Sequence, residues 1–359
     1  MAPGKQMVYI GDVAREAGVS VATVSRVVAN RGYPVAPATR ERVLAAVSRL
    51  GYRPNSLARG LRVGRSAAIG LCATTLSNPT VVSAVEGIIH SSRLADRQVL
   101  VTTTFWDAQE EEEQLRLFLQ ERVAGVISFP SGAPAACYTE LQEAGIPVVL
   151  INRGVPGLRA PVVRYDFAGG YAAVVEELAR LGHSRIGAVL PGSGVDRERH
   201  RRAWQAAFQR LGLSVPWDLV RYGPPDLYSE RQDAHGDVHA AVLSLLSLPE
   251  GLTALFAVSV TMTLAAIRAI DDAGMRVPED VVLVGTGDRR WDLLFTPRIP
   301  SLCLDSFSLG TKAADLVAEL SGKRGAERRE LDVKVETRLE HFDLSRAPRP
   351  LGAASPLIS

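Results

Sequence analysis

Small, hydroxyl-bearing and basic side chains cluster in one short stretch near the amino terminus, and these residue types can recognise the edges of nucleic-acid bases. The residues are Ser20, Val21, Ala22, Thr23, Ser25 and Arg26. Small side chains let a helix enter a major groove closely, and an arginine guanidinium can fork onto guanine. An ordinary helical hairpin with a solvated face would carry similar residues, so this stretch alone does not decide between the two interpretations.

Three short helices are predicted to position these side chains, over residues 10–17, 21–29 and 37–50. Gly18 can adopt the positive φ of a tight turn between the first two helices, and Ser20 is a good N-cap for the second. The inner face of the second helix is then formed by Val24, Val27 and Val28, which leaves the base-recognising residues outside. Pro37 suits the first position of the third helix, whereas Ala36 offers no capping side chain.

The motifs of this region resemble those of one protein family. Residues 12–27 read DVAREAGVSVATVSRV, residues 39–43 read TRERV, residues 50–55 read LGYRPN and residues 58–62 read ARGLR. This pattern is similar to the lac repressor (LacI/GalR) family of bacterial transcription regulators. The resemblance implies a helix-turn-helix head, a hinge helix and a periplasmic-binding-protein-like sensor. It also implies a repressor that binds palindromic, double-stranded operator DNA as a homodimer, under the control of a small-molecule effector.

A second DNA-contacting segment is predicted just after the head. Asn55 can cap a helix over residues 56–62, which is too short to be stable alone in water. The resemblance implies that this hinge folds on the operator, where Leu61 would wedge between base steps of the minor groove. Arg59 and Arg62 would then hold phosphates or the groove wall. The alternative is a plain flexible linker in which the leucine has no such role.

Charge is distributed unevenly along the chain. Residues 1–66 contain eleven Lys and Arg against three acids, a net charge of +8, whereas the whole 359-residue chain carries only +2. The remainder is therefore acidic, with a net charge of −6. A small basic head on an acidic body is typical of duplex-binding proteins.

No catalytic or cofactor-binding pattern stands out. Cys72, Cys137 and Cys303 are few and widely separated, which favours free thiols in a reducing cytoplasm over disulfides or zinc. No Gly-Lys-Ser/Thr phosphate loop is present, and the acidic run 110–113 is interpreted as a solvated helix start. No leader peptide and no apolar run of about 20 residues is found, so we expect a cytoplasmic protein without membrane contact.

We therefore expect neither enzymatic activity nor a cofactor or metal. Two other protein classes remain as alternatives: a solute-binding protein that acts outside the cytoplasm, and an α/β enzyme with a regulatory DNA-binding head. The basic head opposes the first of these, and the missing catalytic residues oppose the second.

From residue 67 onward, short Val-, Ile- and Leu-rich runs alternate with helical runs, which predicts parallel strands covered on both faces. The strands exceed what one sheet holds comfortably, so the predicted fold class is a helical head followed by an α/β sensor of two subdomains with a cleft between them. The predicted domains are residues 1–54 (helix-turn-helix), 55–66 (hinge), 67–345 (effector binding and dimerisation) and 346–359 (disordered tail). Crossings between the subdomains are predicted near residues 165–167, 287–291 and 321–333.

Ligands of open α/β sheets lie beyond the carboxyl ends of the strands. The candidate effector contacts in those positions are Asn78, Arg153, Arg199, His200, Arg201, Ser259 and Asp288. Compared with sugar-binding members of the resembled family, His200 stands where an arginine is usual, and Ser259-Val260 replaces an Asn-Asp pair. Residues 285–288 also lack the first of two aspartates.

These replacements would leave the hydroxyls of a bound sugar unpaired. A standard sugar effector is therefore not expected. The open alternatives are a less polar ligand, an anion met by Arg153, Arg199 or Arg201, and no small effector at all. The arginine-rich run around His200 is equally compatible with a solvated helix face.

Overall fold

The computed structural model describes residues 8–29, 35–52, 66, 68–192, 194–224, 234–249, 251–288, 299–321 and 331–340. The chain divides into two compact units, Met1–Ser66 and Ala67–Ser359. Some of the predicted features lie outside the described residues, namely the disordered tail and the hinge residues Asn55, Arg59, Leu61 and Arg62.

Three helices form the amino-terminal unit: α1 (Ile10–Ala17), α2 (Val21–Ala29) and α3 (Pro37–Leu50). All three predictions are confirmed. Gly18 turns the chain after α1 with φ of 62°, and Gly51 ends α3 with φ of 63°. Ala36 makes no side-chain cap, as expected. The buried core shared by the three helices consists of Val13, Ala14, Ala17, Val24, Val27, Val43 and Ala46.

The second unit alternates strands and helices. In chain order its elements are β1 (Ile69–Ala73), α4 (Pro79–Leu94), β2 (Val99–Thr103), α5 (Ala108–Gln120), β3 (Gly125–Ser128), α6 (Ala135–Glu143), β4 (Val148–Ile151), β5 (Val162–Tyr165), α7 (Phe167–Arg180), β6 (Ile186–Leu190), α8 (Gly194–Arg210), β7 (Val220–Tyr222), α9 (Ala234–Leu246), β8 (Ala254–Ala257), α10 (Val260–Asp272), β9 (Val282–Gly287), β10 (Ser301–Leu304), α11 (Ser306–Ser321), β11 (Asp332–Val335) and β12 (Thr337–Glu340).

Two six-stranded sheets define two lobes of this unit. The first lobe has the strand order β11-β5-β4-β3-β1-β2, with parallel pairing throughout. The second has the order β12-β10-β9-β8-β6-β7, in which β12 alone pairs antiparallel. Apolar strands buried on both faces need helices on both sides. In the first lobe α4 and α11 pack together, as do α5 and α6. The predicted two-sheet α/β fold is confirmed.

Within the residues that the structure describes, the chain crosses between the lobes three times, and two of the predicted crossings are wrong. The crossing at Tyr165–Phe167 lies where it was predicted, between β5 and α7. The second occurs at Leu304–Ser306, because β9 and β10 pair side by side in one sheet and keep the chain in the second lobe until α11. The third occurs at Val335–Thr337, between β11 of the first sheet and β12 of the second.

Among the described helices, none has the length and apolar character needed to span a membrane. The described residues likewise contain no group of three or more His, Cys, Asp or Glu that could hold a metal ion.

Candidate DNA-recognition helix and ligand cleft

The residues predicted to recognise bases share one surface of α2. The exposed ones are Ser20, Val21, Ala22 and Arg26, and the half-buried ones are Thr23 and Ser25. On the opposite side of the helix, Val24 and Val27 are 0% and 2% exposed. The helix is therefore anchored to the core by its valines and presents its small and basic side chains outward.

Ser20 begins α2 through its own hydroxyl. Its Oγ accepts the backbone N–H of Thr23 at 3.2 Å and lies 2.9 Å from Thr23 Oγ1. The predicted N-cap is thus confirmed. The hydrogen bond satisfies a donor that the first turn of a helix would otherwise leave unpaired, and it orients the Thr23 hydroxyl at the outer surface.

Two acids of the head contribute to its own structure. Asp12 accepts the backbone N–H of Tyr9 at 2.9 Å where α1 begins, and Glu16 pairs with Arg49 at 2.6 Å, which links α1 to α3. Such exposed pairs contribute little to stability, typically about 0–1 kcal/mol. The net charge of +8 for residues 1–66 already includes both acids, so the head remains basic.

A cleft lies between the two lobes of the second unit and encloses about 450 Å³, including its open mouth. Thr74, Trp106, Phe129 and Arg153 line it from the first lobe. Each of them follows one of the adjacent parallel strands β1 to β4, which is where ligands of such sheets bind. The second lobe contributes side chains from the beginning of α8.

Asn78 supports the same wall of the cleft. Its Oδ1 accepts the backbone N–H of Thr80 at 3.0 Å and the Thr80 hydroxyl at 2.8 Å, which caps α4. Val81 follows on this wall and adds aliphatic surface to it.

Two arginines and an aspartate connect the lobes across the cleft. From the first lobe, Arg153 donates through Nε to the carbonyl of Pro130 at 2.6 Å, and its Nη1 lies 3.6 Å from Asp196 Oδ2. From the second lobe, Arg199 Nη2 lies 3.0 Å from Asp196 Oδ1. Arg199 Nη1 donates to the carbonyl of Asn152 at 2.5 Å. Asp196 therefore lies between guanidinium groups of both lobes.

Aromatic rings hold both guanidinium groups in place. Arg153 lies over the Trp106 ring at 5.5 Å, and Arg199 lies over the Phe167 ring at 5.0 Å. Burial lowers the pKa of Arg199, and the nearby Asp196 carboxylate opposes that shift. A guanidinium is not deprotonated in a folded protein at neutral pH, so both arginines carry a positive charge into the cleft.

Comparison with known proteins places this architecture in a family. Residues 9–55 match the model for bacterial regulatory proteins of the lacI family, and residues 175–339 match a periplasmic binding protein-like domain. The regulator GalS of Salmonella typhimurium is 30% identical over 283 residues, which cover 79% of this chain and 81% of GalS. The chain belongs to the LacI family.

Other relatives agree with this assignment. Catabolite control protein A of Priestia megaterium is 30% identical over 319 residues, 88% of this chain and 93% of that protein. The solved structure of the lac repressor dimer bound to operator and the anti-inducer ONPF has the same fold, with a TM-score of 0.77 at 24% identity and coverage of 93% and 98%. LacI-family proteins of this kind are DNA-binding transcription regulators and not enzymes.

One position on α8 differs from the residue that is usual in sugar-binding members of the LacI family. His200, at the position where an arginine is usual, faces the core of the second lobe, where its Nδ1 hydrogen-bonds with the Tyr171 hydroxyl. It is 5% exposed and packs 4.6 Å from the Phe167 ring centroid. Burial, together with the nearby Arg199, lowers its pKa well below the ordinary value. His200 is therefore a neutral core residue outside the lining of the cleft.

The neighbours of His200 on α8 point in different directions. Trp204, one turn further on, is fully buried and stacks on Phe256 with 5.7 Å between ring centroids. With this face of α8 packed inward, Arg199 lines the cleft and Arg201 lies outside it, paired with Glu198 at 2.9 Å. The solvated-face interpretation thus describes Arg201, whereas Arg199 lies in the cleft between the lobes.

The remaining candidate contacts, Ser259 and Asp288, lie elsewhere. Ser259 caps α10 by accepting the backbone N–H of Met262 at 3.2 Å. Asp288, 6% exposed at the end of β9, lines a separate cavity together with Asp305 and Lys334. The structure therefore brings together Asn78, Arg153 and Arg199 of the predicted contacts.

Sequence reasoning missed Asp196 as a member of the cleft. The helix α8 begins at Gly194, which puts Asp196 in its first turn. The available signal was the spacing of Asp196 and Arg199, because residues three apart are neighbours on a helix surface.

The interpretation of residues 110–113 as a solvated run is wrong for Glu111, which is fully buried. Its Oε2 accepts three backbone N–H groups, those of Ser131, Gly132 and Ala133, at 2.7, 2.9 and 2.9 Å. Its Oε1 accepts the hydroxyl of Ser128 at 2.9 Å and that of Tyr138. The carboxylate thereby fixes the loop after β3, next to the Phe129–Pro130 wall of the cleft.

Proposed function

We propose that this protein is a transcriptional repressor that binds a palindromic operator as a homodimer in the cytoplasm. The exposed, small and basic face of α2 carries this proposal, because it has the shape and chemistry of a major-groove-reading helix. The proposed base and backbone contacts of the head are Ser20, Val21, Ala22, Thr23, Ser25 and Arg26.

We further propose that the head spans residues 1–54 and that residues 55–66 form a hinge that orders on DNA, with Asn55, Arg59, Leu61 and Arg62 at the minor groove. Residues 67–345 would then bind the effector and a second copy of the chain, ahead of a disordered tail over residues 346–359.

An apolar sheet edge supports dimerisation through the first lobe. Strand β2 is the last strand of its sheet, and Leu100 and Val101 in its middle are 41% and 37% exposed. Successive residues of a strand point to opposite faces, so neither face of this edge is well covered. Leu94 at the end of α4 is 80% exposed as well. A second copy would cover these side chains and bring two heads to symmetrical half-sites.

The cleft supports control by a small molecule. Arg153 and Arg199 belong to different lobes and both line it, so a ligand that contacts both favours one relative placement of the lobes. Such differential binding is what allows a ligand to change DNA affinity. We propose Asn78, Arg153 and Arg199 as effector contacts, and an effector other than a standard sugar.

Selection from random double-stranded DNA with the full-length protein tests the proposed function. We expect enrichment of a palindrome, a dimer-sized complex in native mass spectrometry, and an affinity that falls steeply with added salt. The selected sequence with both half-sites scrambled is the control. Repression is then measured with the selected operator placed in a reporter promoter. A monomer with equal affinity for selected and scrambled DNA would refute the proposal.

A further inference from the structure

We propose that the ligand of the cleft is a small hydroxy acid, bound through one carboxylate by Arg153 and Arg199. This inference rests on the proposed function only in that the cleft is taken as the effector site. It adds the chemical class of the effector, which neither the fold nor the similarity to known regulators specifies.

The first observation is a group of buried polar atoms, on residues that line the cleft, that have no hydrogen-bond partner among the described residues. They are Thr74 Oγ1, Trp106 Nε1, Asn152 Oδ1 and Arg199 Nε. Thr74 is only 2% exposed. Buried polar groups are nearly always hydrogen-bonded in folded proteins, and these four atoms are the groups on cleft residues that a polar ligand could pair. Trp106 Nε1 and Arg199 Nε can only donate, and the ligand must therefore present acceptors to them.

The second observation is the charge of the described residues around the cavity. Arg153 and Arg199 contribute two positive charges, and Asp196 contributes one negative charge. The side chains in the two ion pairs are 17–21% exposed, so water screens them only partly. One further negative charge balances the cavity, whereas a dianion would reverse its sign. A planar carboxylate also matches the fork of a guanidinium.

The third observation is the position of the Asp196 carboxylate. It is 3.0 Å from Arg199 but 3.6 Å from Arg153, beyond hydrogen-bond distance. Arg153 therefore keeps donor capacity beyond its bonds to the Pro130 carbonyl. A ligand carboxylate can accept hydrogen bonds from Arg153 and from the unpaired Nε of Arg199. It would then replace the 3.6 Å contact between Arg153 and Asp196. Asp196 thus competes with the ligand for the same cations.

The remaining part of the ligand follows from the other walls. Asn152 Oδ1 is an unpaired acceptor, which a ligand hydroxyl can satisfy. Trp106, Phe129 and Tyr165 give the cavity apolar surface that suits a short carbon chain. A carboxylate with at least one hydroxyl on a short carbon skeleton meets all of these requirements.

Matched pairs of acids and alcohols test the proposal by isothermal titration of the full-length protein. The pairs are glycerate and glycerol, threonate and threitol, and gluconate and glucitol, with inorganic phosphate as a separate anion. We expect saturable binding of at least one acid, with its alcohol at least about tenfold weaker because it lacks the charge-assisted bonds. Equal binding of an acid and its alcohol, tighter binding of phosphate, or no binding of any acid would overturn the proposal.

Variants of the cleft give a second, independent test. We expect Arg199→Met and Arg153→Gln each to weaken binding of the acid at least about tenfold. Arg201→Met is the matched control, because Arg201 is on the same helix but outside the cavity, and it should leave acid affinity unchanged. Asp196→Asn should strengthen acid binding, since it removes the competing carboxylate. Weaker binding in Asp196→Asn, or unchanged binding in Arg199→Met, would contradict the assignment.

DNA binding separates failure of this inference from failure of the proposed function. Each variant is first checked for folding by circular dichroism and for binding to the selected DNA without added acid. Intact operator binding with no acid response refutes the hydroxy-acid assignment alone. Loss of sequence-specific DNA binding in the unmodified protein refutes the regulator proposal itself.

Discussion

Arg153 and Asp196 face each other across the cleft between the lobes, with 3.6 Å between Nη1 and Oδ2. Arg153 follows β4 in the first lobe, and Asp196 lies in the first turn of α8 in the second. The ion pair therefore joins the two lobes directly, at the place where the proposed effector would bind.

We predict measurable coupling between these two residues. A double-mutant cycle with Arg153→Gln and Asp196→Asn should give a coupling of about 1 kcal/mol in the free energy of unfolding, because both side chains are mostly buried. The exposed pair Arg276 and Asp280 is the control and should couple by less than about 0.5 kcal/mol. Urea titrations of the six variants and the parent measure both. Equal coupling in the two pairs would show that the cleft pair has no special role.

Arg26→Ala should relax base preference at one position of each half-site, at a cost of about 1–3 kcal/mol for the preferred base. Arg26 is on the exposed surface of α2. Arg15→Ala is the control, since Arg15 is exposed on α1 and pairs with Asp12. Fluorescence anisotropy with a panel of single-base operator variants measures the preference. If Arg26→Ala instead lowered the affinity for all sequences equally, Arg26 would be identified as a phosphate contact.

Leu61→Ala should weaken operator binding by more than about 1 kcal/mol, because the truncated side chain cannot support an unstacked base step. Dimerisation, measured by analytical ultracentrifugation, should be unchanged. Leu57→Ala in the same predicted hinge helix is a control of identical chemistry, for which a smaller effect is expected. Unchanged operator affinity in Leu61→Ala would argue against the wedge.

Acidification should destabilise the protein through its buried histidines. His183 and His200 are 2% and 5% exposed, and burial lowers the pKa of both from 6.5. The unfolded chain then binds more protons than the folded one, so the free energy of unfolding falls as the pH drops below about 6.5. His200 alone contributes up to about 1.4 kcal/mol per pH unit.

Exposed carboxylates change the stability of the protein in a lower pH range than the histidines do. The contributions of carboxylates and histidines can therefore be measured separately. Hydrogen bonds from Arg201 and Arg202 hold the pKa of Glu198 at about 2, against an ordinary 4.5. The stabilising effect of ionised Glu198 is lost only as the pH falls below about 4.5, the ordinary pKa of a glutamate. Urea titrations between about pH 7 and pH 5 thus report mainly on histidines. His200→Gln should flatten this dependence, and an equal slope in parent and variant would contradict the prediction.

Glu111→Ala should cost more than about 3 kcal/mol of stability, because three backbone N–H groups and two hydroxyls lose a buried acceptor and each unsatisfied group costs about 1–3 kcal/mol. Glu111→Gln keeps an acceptor of the same size and should cost less. The neighbouring Glu110→Ala is the control, since that side chain is exposed in the first turn of the same helix. Thermal unfolding measures all three. A similar cost for Glu110→Ala and Glu111→Ala would show that the buried network is not decisive.

Local signals in the sequence determined the three helices of the head and the outward face of α2. Gly18 and Gly51 adopt the positive φ that their positions require, and Ser20 caps α2, because turns and caps depend on a few neighbouring residues. The alternation of apolar strands with helices likewise determined the two-sheet fold. Burial on both faces of a parallel sheet leaves a hydrophobic pattern that can be read along the chain.

Tertiary structure alone decided which residues meet in the cleft and where the lobes join. Arg199 rather than His200 or Arg201 lines the cavity, because packing of Trp204 and His200 against the core sets the rotation of α8. The short strands β11 and β12 are too exposed to leave an apolar pattern in the sequence. Residues distant in sequence become neighbours only through the packing of whole elements, and no local pattern contains that information.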